Sequence, residues 1–304
     1  MSAEQPRKTV VVTGASAGLG YFAAEQLAAA GHRVVLATRS PERATAAADS
    51  IRRHVPDAAL EHLHVDLADL DVVRTAAAAL GELGPIDAVV NNAGVVGSRT
   101  ERFTSQGTEL QVGTNHLGHF AFTALVLPLL EETAGRVVHL GSIAHRWASL
   151  DPSDPFRVGH YSGYRQYARS KLAVMLFGFE LAERLADAGS PVSSVVAHPG
   201  LSLDSLAPSR PAIAPARTEP AWTRPGQRLY AQGKDAGAHP LVHAAVGDDV
   251  RSGQYWGPGG FMQLRGPAAV VPAEPRAHDR GAAARLWQAS ERASGVAFAL
   301  DALV

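Results

Sequence analysis

The chain of 304 residues contains no cysteine, and only three of its 28 basic residues are lysines. The absence of cysteine excludes disulfides, thiolate metal sites and cysteine nucleophiles. A formal net charge of -1 provides no broad basic surface, so no nucleic-acid partner is expected. The thirteen histidines do not form a pattern of three ligands, and we therefore predict no metal site.

Long apolar runs are also missing. The longest apolar segment, around residues 121–130, falls short of the ~20 residues that a membrane-spanning helix needs. The first residues, MSAEQPRK, lack the apolar core of a signal peptide. A hydrophobic content of 46% and a charged content of 19% are typical of a globular protein. We expect a soluble, cytoplasmic protein without a membrane span.

Short β-branched runs alternate with helical segments that are rich in alanine and leucine. This pattern is typical of α/β proteins with a doubly wound parallel sheet, here of about seven strands. The predicted strands are Thr9–Thr13, Arg33–Thr38, Leu60–Val65, Ala88–Asn91, Val137–Leu140, Ser193–Ala197 and Gly253–Trp256. The predicted helices are Gly18–Ala30, Pro41–His54, Asp69–Leu80, Thr104–Leu130, Gly163–Ala188, Lys234–Val246 and Ala282–Ser294.

We predict a single domain, because no linker or internal repeat divides the chain. Residues 1–7 are expected to be a flexible N-terminus and residues 8–304 the domain. Residues 204–228 are rich in proline and show little periodicity. A long irregular segment after the sixth strand lies on the side where open α/β sheets bind ligands. We interpret residues 204–228 as a substrate lid.

A glycine-rich turn, TGASAGLG, follows the first predicted strand directly and leads into a helix. Gly14 permits the tight turn, and Gly18 and Gly20 let backbone approach a pyrophosphate and the helix approach the sheet. The pyrophosphate then lies at the positive end of the helix dipole. The spacing G-x-x-x-G-x-G differs from that of the standard dinucleotide-binding motif. The interpretation therefore depends on the position of the turn between a strand and a helix. The motif predicts a Rossmann-type dinucleotide site.

The residues at the end of the second strand indicate which dinucleotide the chain binds. Enzymes that use NAD often place an acid there to bind the ribose 2′-hydroxyl, whereas this chain has Thr38 followed by Arg39. A guanidinium matches the charge and geometry of a 2′-phosphate. We therefore predict NADP(H) in preference to NAD(H). Asp66 and Leu67 end the third strand, and the sequence NNAG, residues 91–94, ends the fourth, where the adenosine half of the cofactor is expected.

The sequence YARSK places Tyr167 and Lys171 at positions i and i+4 of a predicted helix, so their side chains are neighbours. A phenol with a pKa of ~10 is a weak base at neutral pH, and an adjacent ammonium lowers that pKa by favouring the phenolate. Tyr167 can then exchange a proton with an alcohol or a carbonyl while hydride moves. The pair predicts acid–base chemistry beside a dinucleotide.

Six motifs occur in the order and spacing of the short-chain dehydrogenase/reductase family: TGASAGLG, NNAG, TNHLGHF, HLGSIAH, YARSK and HPG. The resemblance covers nearly the whole chain, and the segments TELQVGTNHLGHF and RLWQAS resemble its retinol-dehydrogenase-like branch. It implies that Lys171 also holds the nicotinamide ribose, that Ser142 hydrogen-bonds the reacting oxygen, and that Asn115 holds a water linking the lysine to solvent. The cofactor-binding residues it implies are Gly14, Ser16, Gly18, Leu19, Gly20, Arg39, Asp66, Leu67, Asn91, Ala93, Gly94, Tyr167, Lys171, Pro199 and Gly200.

Two other tyrosines compete with Tyr167. Tyr164 stands seven residues before Lys171, which resembles the spacing in enoyl reductases of the family, and it shares a helical face with Tyr167. Ser142 and the motif TNHLGHF favour Tyr167. Tyr230 and Lys234 repeat the Y-x-x-x-K spacing, but no serine-bearing strand end precedes them. We interpret that second pair as accidental.

One position departs from the family pattern. The family has a threonine that contacts the cofactor four residues after the glycine of HPG, and this chain has Asp204 there. A carboxylate near a pyrophosphate is unfavourable. Either the loop shifts so that Ser202 or Ser205 replaces the threonine, or the grip on the cofactor is weaker.

These observations predict an NADP(H)-dependent oxidoreductase that interconverts a carbonyl and an alcohol. The substrate is expected to be a small and rather apolar molecule, because the lid contains alanine, isoleucine, leucine and tryptophan. The alternatives are an enoyl reductase, a redox-neutral epimerase or cyclase on the same scaffold, and a sensor that binds NADP(H) without turnover. The resemblance also suggests a homodimer or homotetramer.

Overall fold

The computed structural model describes residues 7–97, 99–151, 153–156, 160–211, 213 and 224–300. Their central feature is an eight-stranded sheet, supplemented by a small two-stranded sheet. The strands are β1 Thr9–Thr13, β2 Arg33–Thr38, β3 Leu60–His64, β4 Ala88–Asn91, β5 Arg136–Leu140, β6 Ser193–Ala197, β7 Ser202–Leu203, β8 Gln232–Gly233, β9 Tyr255–Pro258 and β10 Ala268–Val270.

Helices cover both faces of the large sheet. They are α1 Gly18–Ala29, α2 Pro41–Arg52, α3 Leu70–Gly81, α4 Leu110–Val112, α5 Gly118–Glu131, α6 Gly163–Asp187, α7 Arg224–Tyr230, α8 Lys234–Val246 and α9 Arg280–Ser294. Among the described residues, no helix combines the length and the hydropathy that crossing a membrane requires.

The strand order of the large sheet is β10-β9-β6-β5-β4-β1-β2-β3, and all its pairings are parallel except that of β10 with β9. The chain winds outward from β1 to β3 on one side and from β4 to β6 on the other. The order therefore reverses between β1 and β4, and a crevice for ligands opens beyond the carboxyl ends of these two strands.

Two apolar cores lie on opposite faces of this sheet. One contains Phe120 and Leu130 of α5 together with Leu80 of α3. The other contains Leu27 of α1 and Leu241 of α8. Because each strand contributes side chains to both faces, β1 and β4 are almost continuous runs of buried valine, as expected for a parallel sheet.

The predicted doubly wound α/β sheet is confirmed, and four of its strands have the predicted bounds. The sequence missed β10, an antiparallel edge strand that extends the sheet beyond the predicted seven. The predicted start of the fourth helix at Thr104 is wrong, because residues 104–108 form a turn with Gly107 at a φ of 80°. The helix begins at Leu110 instead, where the carboxylate of Glu109 accepts hydrogen bonds from two N–H groups of the first turn.

A π-helical turn, Gly113–Leu117, joins α4 to α5. Such turns hold one residue more than an α turn and frequently mark functional sites. Asn115 lies in the middle of it and is 1% exposed.

The small sheet pairs β7 with β8 and so brings together the two ends of the segment between them. Of the predicted lid, residues 212 and 214–223 lie outside the described residues, as do residues 1–6 of the predicted flexible N-terminus. The lid itself therefore stays a prediction.

Candidate active site

The glycine-rich turn between β1 and α1 has the conformation that only glycine adopts without strain. Gly14 and Gly18 have φ values of 68° and 58°. A Cβ at Gly14 would stand 2.9 Å from the Cα of Ala93, and one at Gly20 would stand 2.5 Å from the carbonyl oxygen of Gly14. The turn thus forms a close-packed backbone cradle against the end of β4.

The first turn of α1 carries no side-chain cap within the described part of the chain. Its N–H groups are therefore available to an anion, and the helix dipole adds to the attraction. Ser16 and Leu19, which lie at this end of the helix, are both half-buried. This donor set and the cradle fit the pyrophosphate of a dinucleotide.

Thr13 joins the glycine-rich turn to the NNAG segment, and the sequence analysis did not single it out. Its hydroxyl oxygen accepts hydrogen bonds from the N–H groups of Asn92 and Ala93, each at 2.9 Å. It also lies 2.9 Å from Nε2 of His119. Because Nδ1 of His119 donates to the carbonyl oxygen of Asn115, Nε2 is the accepting nitrogen of the neutral ring.

His119 therefore links the turn to the π-helical segment. Burial lowers the pKa of His119 to about 4, which keeps the ring neutral at physiological pH. The signal for this residue was present in the motif TNHLGHF, where it stands four residues after Asn115.

The residues predicted to lie near the adenosine half of the cofactor differ in their exposure and contacts. Arg39 is exposed at the end of β2. A carboxylate oxygen of Asp66 accepts a hydrogen bond from the N–H of Ala68 at 3.0 Å. The side chain of Leu67 is buried in the core. The side-chain amide of Asn91 donates to the hydroxyl of Thr123 on α5 at 2.8 Å.

Tyr167, Ser142 and Lys171 come together beyond the carboxyl end of β5. Lys171 is buried in α6, and its ammonium donates a 2.7 Å hydrogen bond to the carbonyl oxygen of Leu140, the last residue of β5. The same nitrogen lies 5.9 Å from the centre of the Tyr167 ring. Burial lowers the pKa of Lys171 to about 8.

Tyr167 is half-buried, and the Ser142 hydroxyl lies close enough to its phenol to influence its pKa. Burial raises the pKa of Tyr167, and the nearby Ser142 hydroxyl only partly opposes that increase. The sequence argument expected the adjacent lysine to lower this pKa, but desolvation dominates in the folded protein. The phenol is therefore protonated at neutral pH, the form that can donate a proton.

A buried hydrogen-bond chain connects Asn115 to the helix of the candidate base. The Asn115 amide donates to the carbonyl oxygen of Val95 at 3.1 Å and to the hydroxyl of Ser170 at 2.9 Å, and Ser170 donates to the carbonyl oxygen of Tyr167. The N–H of Val95 donates in turn to the Asn115 side chain at 2.7 Å. Both amide hydrogens of Asn115 are thus donated to protein atoms. A water could therefore form a hydrogen bond with Asn115 only by donating to one of its oxygens.

The competing tyrosines lie elsewhere. Tyr164 is 58% exposed, one turn of α6 before Tyr167. Tyr230 ends α7 and Lys234 begins α8, with β8 between them. The helical i, i+4 relation that the spacing suggested does not exist for that second pair.

The HPG segment forms a tight turn after β6. Gly200 has a φ of 64°, and its N–H donates to Nδ1 of the buried His198 at 3.2 Å. The carbonyl oxygen of Pro199 accepts hydrogen bonds from Ser202 and Gln232. Further along, Asp204 forms an ion pair of 2.7 Å with Lys234. The carboxylate that departs from the family pattern therefore has a cation beside it.

No group of three potential ligands for a metal ion occurs within the described ranges.

Comparison with known proteins identifies the lineage. A sequence model described as short chain dehydrogenase matches residues 8–207. The chain is 35% identical to retinol dehydrogenase 13 of Homo sapiens over 96% of its own length and 86% of the relative's. It is 36% identical to polyprenol dehydrogenase of Mus musculus over 96% and 85% of the two chains.

Solved structures agree on the fold. An uncharacterised protein from Mycobacterium paratuberculosis superposes with a TM-score of 0.76 at 34% identity, over 96% of this chain and 94% of the other. The L-sorbose reductase of Gluconobacter frateurii, solved with NADPH and L-sorbose, reaches a TM-score of 0.60 at 19% identity, over 82% and 94%, and shares the fold alone. With this architecture and these relatives, the chain belongs to the short-chain dehydrogenase/reductase family of oxidoreductases, in its retinol-dehydrogenase-like branch.

Proposed function

We propose that this protein is an NADP(H)-dependent oxidoreductase that reduces a carbonyl to an alcohol and catalyses the reverse reaction. The observation that carries the proposal is the convergence of the Tyr167 phenol, the Ser142 hydroxyl and the buried Lys171 ammonium at the end of β5. These are the three groups that proton transfer to a carbonyl oxygen requires: a donor, a hydrogen-bond partner for the oxygen and a cation.

The cradle between β1 and α1 supports dinucleotide binding, and such a cofactor supplies the hydride or accepts it. Gly14, Gly18 and Gly20 allow backbone contact with its pyrophosphate. Exposed Arg39 is the side chain that would bind a 2′-phosphate, which favours NADP(H) over NAD(H).

In the reductive direction, Tyr167 donates its proton to the carbonyl oxygen. The raised pKa of the phenol keeps that proton available at neutral pH. Ser142 hydrogen-bonds the same oxygen as negative charge develops. Lys171 remains charged below a pH of about 8 and stabilises the phenolate that is left behind.

Asn115 fixes the position of α6 through Ser170 and thereby the position of the proton donor. We propose that an oxygen of Asn115 also accepts a hydrogen bond from a water that returns the proton from solvent.

An apolar substrate is supported by the surroundings of the crevice. Val96 follows β4, Trp147 follows Ser142, and Tyr164 precedes Tyr167 by one turn; these side chains are 64%, 67% and 58% exposed. Exposed apolar side chains near a polar site are typical of ligand-binding surfaces. The names of the relatives, retinol dehydrogenase and polyprenol dehydrogenase, point to lipophilic alcohols as well.

The test is oxidation of NADPH with a panel of apolar aldehydes and ketones, for the wild type, Tyr167→Phe and Tyr164→Phe. We expect Tyr167→Phe to lose about 10³-fold in kcat, in the range of general acid–base catalysis, and Tyr164→Phe to retain activity. Loss of activity only in Tyr164→Phe would move the proton donor to Tyr164 and support double-bond reduction. A product formed without net consumption of NADPH would replace reduction by a redox-neutral reaction.

A further inference from the structure

Asp204 occupies a position at which a carboxylate is unfavourable, and a neighbouring lysine compensates its charge. Asp204 follows the HPG turn at the position where the family places a threonine near the cofactor, and a carboxylate there repels phosphate. In this protein its carboxylate oxygen lies 2.7 Å from the ammonium of Lys234, and the two side chains are only 13% and 16% exposed. The charge is therefore compensated locally.

Neither neighbouring serine offers its hydroxyl hydrogen to a ligand. Ser202 donates it to the carbonyl oxygen of Pro199 at 2.7 Å, and Ser205 donates it to the Gln227 side chain at 2.8 Å. Each hydroxyl has a single hydrogen. A side-chain donor that replaces the family threonine therefore has to be a residue other than these two serines.

Lys234 has the position for that role. Its ammonium stands 3.4 Å from where a Cβ would be at Gly18, and its Cδ stands 3.8 Å from the same point. The start of α8 is held against α1 by a 2.8 Å hydrogen bond from the Gln26 amide to the carbonyl oxygen of Asp235. The lysine thus reaches over the glycine-rich turn, where the backbone accommodates a pyrophosphate.

We propose that Lys234 binds the diphosphate of the dinucleotide and that Asp204 holds its ammonium over Gly18 when no cofactor is present. This inference rests on the function proposed above and assigns an anion-binding side chain to its cofactor site. The ammonium contributes attraction and up to three hydrogen-bond donors. The carboxylate contributes positioning of the lysine but repels the arriving phosphates.

The competing interpretation is that the ion pair only holds the base of the lid together, since Asp204 follows β7 and Lys234 follows β8. The two interpretations differ in the signs of their mutational effects. If the pair is a brace, removing either partner breaks the same contact and weakens cofactor binding in the same direction. If Lys234 binds the diphosphate, removal of the lysine weakens binding, whereas neutralisation of the aspartate strengthens it.

The experiment measures the dissociation constants of NADPH and NADH by titration calorimetry. For Lys234→Met we expect binding about tenfold weaker for both nucleotides, the loss of one charged hydrogen-bond partner, because both contain the diphosphate. For Asp204→Asn we expect binding about threefold tighter, because a nearby negative charge is removed. Lys234→Arg keeps the charge and should remain within about threefold of the wild type.

Lys8→Met is the matched control, since Lys8 donates to the carbonyl oxygen of Val246 and takes no part in the glycine-rich turn. It should bind both nucleotides like the wild type. Melting curves without nucleotide confirm that each variant is folded.

Equal weakening in Lys234→Met and Asp204→Asn, or wild-type affinity in Lys234→Met, would overturn the inference while leaving the proposed function intact. Arg39→Ala separates the two subsites, because it should weaken NADPH alone. A wild-type protein that binds neither nucleotide would overturn the proposed function and this inference with it.

Discussion

The two lysines of the cleft occupy opposite electrostatic environments. Lys171 lies buried in α6 with a carbonyl oxygen as its hydrogen-bond partner, and burial lowers its pKa to about 8. Lys234 lies half-buried at the start of α8 with a carboxylate as its partner. A buried ammonium beside a neutral acceptor is poised to influence a neighbouring proton, whereas one paired with a carboxylate has its charge compensated locally and is held in position.

The largest expected effect is on catalysis, where substitution of the two lysines should change different kinetic constants. Lys171→Met should lower kcat by about 10³-fold, because the phenolate of Tyr167 loses the adjacent charge. In Lys234→Met the loss should fall on the KM of the nucleotide. Steady-state kinetics with both substrates varied provides the measurement, with Lys8→Met as control. A collapse of kcat in Lys234→Met at saturating nucleotide would erase the distinction.

The next effect concerns stability, where the lysines should differ in sign. A fall in pKa from 10.5 to about 8 means that the charged form of Lys171 costs the native state about 3 kcal/mol at pH 7. Lys171→Met removes that cost and loses a hydrogen bond of about 1 kcal/mol, for a net gain of about 2 kcal/mol. Lys234→Met should lose about 1 kcal/mol, because the ion pair with Asp204 is removed.

Urea unfolding at pH 7 checks both values. The linkage has a definite sign: between pH 8 and pH 10.5 the unfolded chain binds the proton that native Lys171 has released, so wild-type stability should rise with pH in that window. That contribution should be missing in Lys171→Met. A lower unfolding free energy for Lys171→Met than for the wild type at pH 7 would contradict a strained buried charge.

The smallest effect is a shift in the pH profile of reduction. Since Lys171 is charged only below a pH of about 8, kcat/KM should fall about tenfold per pH unit above that value. Lys171→Arg keeps its charge to a higher pH, so whatever activity it retains should not show this fall. A wild-type profile that is flat to pH 10 would show that the charge on Lys171 does not matter for reduction.

The sequence predicted the strands best where local chemistry decides them. Thr9–Thr13 and Arg33–Thr38 are β-branched runs bounded by turn residues, and both have the predicted limits. By contrast, Ala268–Val270 is a short edge strand without alternation, so its pairing depends on its neighbour β9. The helix predicted from Thr104 starts later, because Gly107 turns the chain and the capping carboxylate of Glu109 sets the true beginning.

The candidate site likewise contains contacts that the sequence could predict and one that it could not. The sequence predicted Ser142, Tyr167 and Lys171 as neighbours, because Ser142 follows β5 and the other two residues are one turn apart on α6, the helix that follows. The partner of Asp204 could not be predicted, since Lys234 lies thirty residues away beyond the proline-rich segment. Its Y-x-x-x-K spacing even suggested a different and irrelevant pairing.

The π turn at Gly113–Leu117 bears on how this architecture can change. A π turn holds one residue more than an α turn, so the rest of α5 is rotated by about 100° relative to an uninterrupted α-helix. Asn115 consequently owes its contact with Val95 and Ser170 to the length of the chain at this point as well as to its side chain. Substitutions alone would not transplant this arrangement into a regular helix, whereas an alteration of one residue in chain length could create or abolish it.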